Sequence, residues 1–232
     1  MKKPVVAVVI PALNEEKSID KVIKELPAEW IAEVVVCDNG SRDRTAEVAA
    51  AAGATVVFQP LPGYGNACLK GLAHLREKTE RPDIVVFIDG DYSDYPAELP
   101  LLLKPIIEND ADLVIGSRET GERQTGAMTP VQIFGNWLAT TLIRWFYGYR
   151  FTDLGPFRAI KWNCLMALDM ADKNYGWTVE MQIKAAKMKM KTAEVAVSYR
   201  PRIGVSKVSG TVKGSLMAGY KILWLIFRSL LG

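Results

Sequence analysis

Apolar runs and polar stretches alternate through the first 118 residues in blocks of regular secondary-structure length. Five runs, Val5–Ile10, Glu33–Asp38, Thr55–Gln59, Ile84–Asp89 and Leu113–Gly116, are short, rich in β-branched residues and bounded by turn formers, which predicts strands. Between them, Glu16–Leu26, Arg44–Ala52, Tyr64–Lys78 and Ala97–Asn109 carry helical spacing. Ser41, Asp43 and Thr45 open the second of these helices and Gly53 closes it. Strands apolar at successive positions bury both faces, so the alternation predicts an α/β domain with a mostly parallel sheet covered by helices on both sides.

Beyond residue 118 the texture changes. Glu119–Thr129 is polar, contains glycine and has no period, which predicts a mobile loop. An aromatic helix at Ile133–Tyr149, a strand at Phe157–Lys161, a helix near Val179–Met190 and a strand at Thr192–Tyr199 follow. A basic, glycine-containing loop, Arg200–Gly214, precedes a last helix at Leu216–Leu231. No internal repeat or linker interrupts the chain. The expected layout is one domain over 1–232, with a nucleotide-binding half (1–118) and an acceptor half (119–232).

Composition narrows the class. The chain has 232 residues, 49% hydrophobic and 24% charged, with a net charge of +3, enough for a sizeable core and too weak a positive excess to imply nucleic acid. Cys37, Cys68 and Cys164 are widely spaced, without zinc spacing, and suit a reducing cytoplasm. The apolar run after Met1-Lys2-Lys3-Pro4 is cut by Pro11 and reads as a first strand, not a signal peptide. No stretch has the roughly 18–20 apolar residues of a spanning helix. The aromatic sides of 133–149 and 216–231 are instead candidates for peripheral contact with a membrane face, the alternative for both being packing on the core or on a partner subunit.

In open parallel sheets ligands bind beyond the carboxyl ends of the strands. Those ends here read Pro11-Ala12-Leu13-Asn14-Glu15, Asp38-Asn39-Gly40-Ser41, Gly63-Tyr64-Gly65-Asn66, Asp89-Gly90-Asp91 and Gly116-Ser117-Arg118. Two carboxylates one residue apart can hold Mg2+ or Mn2+ and leave coordination positions for phosphate oxygens. Asp38 suits a ribose or base, and Gly63 and Gly65 allow close backbone approach. Taken singly, Asp38–Ser41 is equally a turn and helix cap, and Asp-Gly-Asp is common in loops. Successive strand ends carrying all of them are much less expected by chance. No G-x-G-x-x-G follows the first strand, which disfavours a dehydrogenase.

Together with Thr152-Asp153-Leu154-Gly155-Pro156-Phe157-Arg158 and Arg200-Pro201-Arg202-Ile203-Gly204-Val205-Ser206-Lys207, these motifs run in one order over nearly the whole chain. They resemble a family 2 glycosyltransferase of the GT-A fold, of the dolichyl- or polyprenyl-phosphate mannose or glucose synthase type. The resemblance implies an inverting, metal-dependent hexosyltransferase using a UDP- or GDP-sugar. Pro11, Ala12, Asn14, Glu15, Asp38, Gly65 and Gly90 would contact the donor, Asp89 and Asp91 would hold the metal and diphosphate, and Arg202 and Lys207 would close over the diphosphate. Asp91 and Glu180 are the catalytic candidates. Relatives place an acid pair where this chain has Glu180 alone, which fits an already anionic polyprenyl phosphate acceptor bound by Arg118 and Arg123. A soluble or glycan hydroxyl acceptor is the alternative. A non-catalytic membrane-associated subunit that kept the fold is the alternative of another class. Glu180 is otherwise a helix-start acid, and Asp153 with Arg158 is expected to form a structural ion pair.

Overall fold

The computed structural model describes residues 3–204 and 212–230; Lys207 lies outside them. Seven strands form one sheet in the order β3-β2-β1-β4-β6-β5-β7. They are β1 (Val6–Ala12), β2 (Glu33–Asp38), β3 (Thr55–Phe58), β4 (Ile84–Phe87), β5 (Leu113–Ser117), β6 (Arg158–Lys161) and β7 (Thr192–Ala196). All neighbouring pairs are parallel except those of β6, which runs antiparallel between β4 and β5. β6 and β7 come from the chain after residue 118, so both expected halves supply the same sheet.

Alternation along the strands sorts side chains to two faces. Val9, Val35, Val85, Phe87 and Leu113 point to one side, against α3 (Tyr64–Arg76), α5 (Pro130–Tyr147), α6 (Trp162–Leu168), α7 (Trp177–Lys187) and Ile226 of α8 (Val212–Arg228). Val8, Ile10, Val36, Val86 and Val114 point to the other, under α1 (Ile19–Glu25) and α4 (Leu99–Asn109), with Ala49 of α2 (Thr45–Ala51). These strand residues are 0% exposed. Each such burial is worth about 1.5–3 kcal/mol, so the sheet centre is the main source of stability.

Five local outcomes differ from expectation. β4 ends at Phe87, because its last antiparallel pair is with Arg158; Ile88 and Asp89 run on past the ladder. β1 continues through Pro11 to Ala12 along β2, on the side where β4 no longer pairs beyond Val9, so the missing proline N–H costs no bond there. α5 starts at Pro130, with Thr129 and Gln132 in a reciprocal capping box and Gly148 closing its end at φ 72°. The stretch 119–129 is tied down: Tyr199 N–H donates to Glu122 O and Gln124 N–H to Tyr199 O, at 2.8 and 2.9 Å. α6 is an element that the hydrophobic pattern did not separate from β6.

Candidate active site

The site forms where β1, β2 and β4 end side by side. Asp89 is half-buried, and Tyr64 donates its hydroxyl to Asp89 Oδ1 at 3.0 Å from the first turn of α3. Asp91 is 4% exposed. Its Oδ1 accepts from Ser93 N–H and Oγ–H at 2.9 and 2.5 Å, and its Oδ2 lies 2.9 Å from Arg202 Nη2. The same guanidinium nitrogen is 3.3 Å from Glu15 Oε1. Burial first, and the negative charge of Asp91 second, push the Asp89 carboxyl up to about 7.

A third acid is buried further along the same loop. Asp94 is 1% exposed, neither of its carboxylate oxygens has a hydrogen-bond partner, and burial followed by the charge of Asp89 raises its pKa well above the usual carboxylate range. Nothing in the spacing singled it out; its signal is an acid three residues beyond Asp91 on the same loop. Among the described residues no group of three or more acids, His or Cys stands together as a complete metal cage; Asp89 and Asp91 offer oxygen ligands only, which suits a hard divalent cation whose other coordination positions are left to phosphate oxygens or water.

The β1 and β2 ends are stitched together. Asn14 N–H donates to Ser41 Oγ, Asn14 Oδ1 accepts from Arg42 N–H, and Glu15 N–H donates to Thr45 Oγ1, at 2.8–2.9 Å. Asn14 has φ 54°. Asp38, 6% exposed, accepts from Ser41 N–H at 3.2 Å, so the turn and cap are formed as well as the strand end. Asn39, given no role of its own in the sequence, accepts from Gly63 N–H and donates to Gln59 O and Leu61 O, holding the 59–63 loop to β2.

Gly65 serves a different contact from the one expected. A Cβ there would sit 1.9 Å from Asp172 O, so its bareness admits the 172–173 backbone, and Asn66 N–H donates to Lys173 O at 3.0 Å. Gly90 packs over Ile19 and Ile10. Glu180 is 7% exposed and accepts from Ala171 N–H and Asp172 N–H at 2.8–3.2 Å, with Lys184 Nζ 2.8 Å away. Its carboxylate therefore ties the turn before α7 to that helix.

Tyr199 gathers the expected acceptor cations. It bridges Asp94 on one side and Arg123 on the other, and the Arg118 guanidinium lies 5.0 Å over its ring. Arg118 grips Asp153 bidentately, Nε to Oδ2 and Nη2 to Oδ1 at 2.7 Å, and Arg123 Nη1 lies 2.8 Å from Glu119. The expected Asp153–Arg158 pair is thus corrected to Asp153–Arg118. Arg158 is 0% exposed and donates instead to the carbonyls of Leu154, Gly155 and Thr178, because the antiparallel β6 turns its side chain inward; burial lowers its pKa to about 10. A separate groove of about 540 Å3, lined by Ile23, Leu26, Glu33 and Thr55 among others, opens at the far end of β2 and β3 and holds no comparable cluster.

Residues 7–173 match the family model described as Glycosyl transferase family 2. The chain belongs to that family. This family 2 glycosyltransferase is 37% identical over 215 residues to an uncharacterized glycosyltransferase of Mycobacterium tuberculosis, covering 92% of this chain and 94% of that one. It is 30% identical over 245 residues to the undecaprenyl-phosphate mannosyltransferase of Micrococcus luteus, covering 98% and 99%. Among solved structures, glucosyl-3-phosphoglycerate synthase from Mycobacterium tuberculosis in complex with phosphoglyceric acid matches with a TM-score of 0.76 and 26% identity, covering 95% of this chain and 79% of that one. The mixed seven-stranded sheet is the GT-A fold of such glycosyltransferases.

Proposed function

We propose that this glycosyltransferase moves a hexose, with inversion, from a UDP- or GDP-sugar to a polyprenyl phosphate at the cytoplasmic membrane face, with a divalent cation in the acidic cluster. The acceptor assignment is carried by Glu180: the carboxylate at the start of α7 is held by two backbone N–H groups and Lys184, and so is poorly placed to take a proton from a sugar hydroxyl. A phosphate monoester is already ionised. One of its oxygens attacks the anomeric carbon opposite the nucleoside diphosphate; the new C–O bond forms as the bond to the diphosphate breaks, and no proton moves.

In this scheme Asn14, Glu15, Asp38, Pro11 and Ala12 line the nucleoside side, and Asp89 and Asp91 hold Mg2+ or Mn2+, which supplies positive charge at the leaving diphosphate. Arg202 and Lys207 serve the diphosphate and Arg118 and Arg123 the acceptor phosphate. Further support comes from the Micrococcus luteus relative, an undecaprenyl-phosphate mannosyltransferase. The surface adds to it: Val131, Phe134, Trp137, Trp145 and Phe146 of α5 and Leu216, Met217, Tyr220 and Phe227 of α8 are exposed side chains on two helices without a single acid. A second scheme, transfer to a soluble acceptor, draws on the shared fold with a synthase seen with phosphoglyceric acid.

Product formation with Mn2+ and a panel of UDP- and GDP-hexoses, offered polyprenyl phosphate, phosphoglycerate or a soluble sugar alcohol, separates the two. Transfer to polyprenyl phosphate should dominate. Equal transfer to a soluble alcohol rejects the lipid acceptor. Asp91→Asn should cut turnover by about 10²–10³ with an unchanged circular dichroism spectrum, and unchanged turnover rejects the site assignment.

A further inference from the structure

Arg202 is the point where the cluster meets its own cation. Its Nη2 spans Asp91 Oδ2 at 2.9 Å and Glu15 Oε1 at 3.3 Å, from a side chain 30% exposed onto carboxylates only 6% and 7% exposed. The backbone around it is fixed to the acidic loop, by Arg200 N–H to Ser93 O and Ile203 N–H to Asp91 O, both at 2.9 Å. Arg200 is clamped further, 3.4 Å over the Tyr92 ring and 4.0 Å over the Tyr95 ring, with Glu25 3.0 Å away. Arg202 Nε, in contrast, is buried without a hydrogen-bond partner. A guanidinium half-satisfied on an anchored backbone can leave its carboxylates by side-chain rotation alone.

A divalent cation on Asp91 would place two positive groups against one carboxylate, and the less anchored of them is the guanidinium. We infer that Arg202 is the resident counter-cation of Asp91 and Glu15, displaced by the metal and taken up by the donor diphosphate, so that metal and diphosphate strengthen each other's binding. This exchange rests on the metal assignment to Asp91 made above. Binding linkage makes the effect reciprocal: whatever factor the diphosphate adds to metal affinity, the metal adds to diphosphate affinity.

Free Mn2+ can be titrated by electron paramagnetic resonance against the full chain, with and without UDP. Wild type should bind Mn2+ weakly alone and at least about fivefold more tightly with saturating UDP. Arg202→Gln should bind Mn2+ alone about fivefold to tenfold more tightly than wild type, and lose most of the strengthening by UDP. Arg202→Lys, which keeps the charge, should stay near wild type. Melting curves in metal-free buffer check that each variant is folded. If Arg202→Gln binds Mn2+ alone no better than wild type, while UDP still strengthens wild type, the exchange is wrong and the metal site stands. If no form binds Mn2+ even with UDP, the metal site falls and the exchange with it.

Discussion

Asp89 and Asp91 are separated by one glycine and held in different ways. Asp91 receives Ser93 and a guanidinium, whereas Asp89 receives the Tyr64 hydroxyl and faces the charge of its neighbour. An acid whose folded pKa is raised from 3.8 to about 7 binds its proton more tightly in the folded chain. Its contribution to stability is therefore complete below the unfolded value and is lost as pH rises toward about 7. In metal-free buffer the melting temperature of wild type, referred to Asp89→Asn at each pH, should fall from pH 4 to about pH 7 and then level off. A difference that stays flat across this range contradicts the burial of the carboxyl. Asp89 and Asp91 were legible because two acids follow a fully apolar strand. Asp94 was not, since its burial depends on Tyr199, a residue 105 positions away that bridges it.

At the level of elements, the first turn of α3, the 169–176 loop and the start of α7 act as one unit. Gly65 admits the carbonyl of Asp172, Lys173 O takes Asn66 N–H, and Asp172 Oδ1 accepts from Asn174 N–H and Gly176 N–H at 2.8 and 2.9 Å. Asp172 Oδ2 lies 2.9 Å from Lys221 Nζ, which ties α8 to the same loop. Glu180 closes the unit by receiving the Ala171 and Asp172 N–H groups. Glu180→Ala leaves those donors buried, so it should cost about 1–3 kcal/mol in chemical denaturation. Its kcat at saturating substrates should stay within about tenfold of wild type, because removing a general base typically costs about 10²–10⁴. A loss in that larger range without loss of stability would return Glu180 to the role of base. The glycines at 63 and 65 were visible in the sequence, but a bare Cα does not say whether a ligand or another loop takes the space.

Across the whole molecule, one sheet face is closed by α1, α2 and α4, and the other by α3 and the later helices. α5 and α8 meet edge to face, with the Phe146 and Phe227 rings 5.5 Å apart, and turn Trp145 (73% exposed) and Tyr220 (72%) outward. Among the described residues no helix is long and apolar enough to cross a membrane. Exposed aromatic side chains on acid-free helices suit the surface of an anionic bilayer. Wild type should co-sediment with vesicles containing anionic lipid at low salt, and the Trp145→Ser, Tyr220→Ser pair should lower that partition by about tenfold or more. Association of two chains without vesicle binding, seen by sedimentation velocity, assigns the face to a second copy instead.

The sequence by itself determined the α/β class, the strand ends that form the candidate site and the family, because burial on both sheet faces and carboxylates after an apolar strand are local patterns. Tertiary structure decided the partners: Arg118 rather than Arg158 for Asp153, the Ala171 and Asp172 N–H groups for Glu180, and Arg202 on Asp91. Those choices depend on the direction of β6 and on loops folded back across the sheet edge. Strand direction and long-range approach leave no periodic trace along the chain, since each arises only when distant segments compete for the same buried charge.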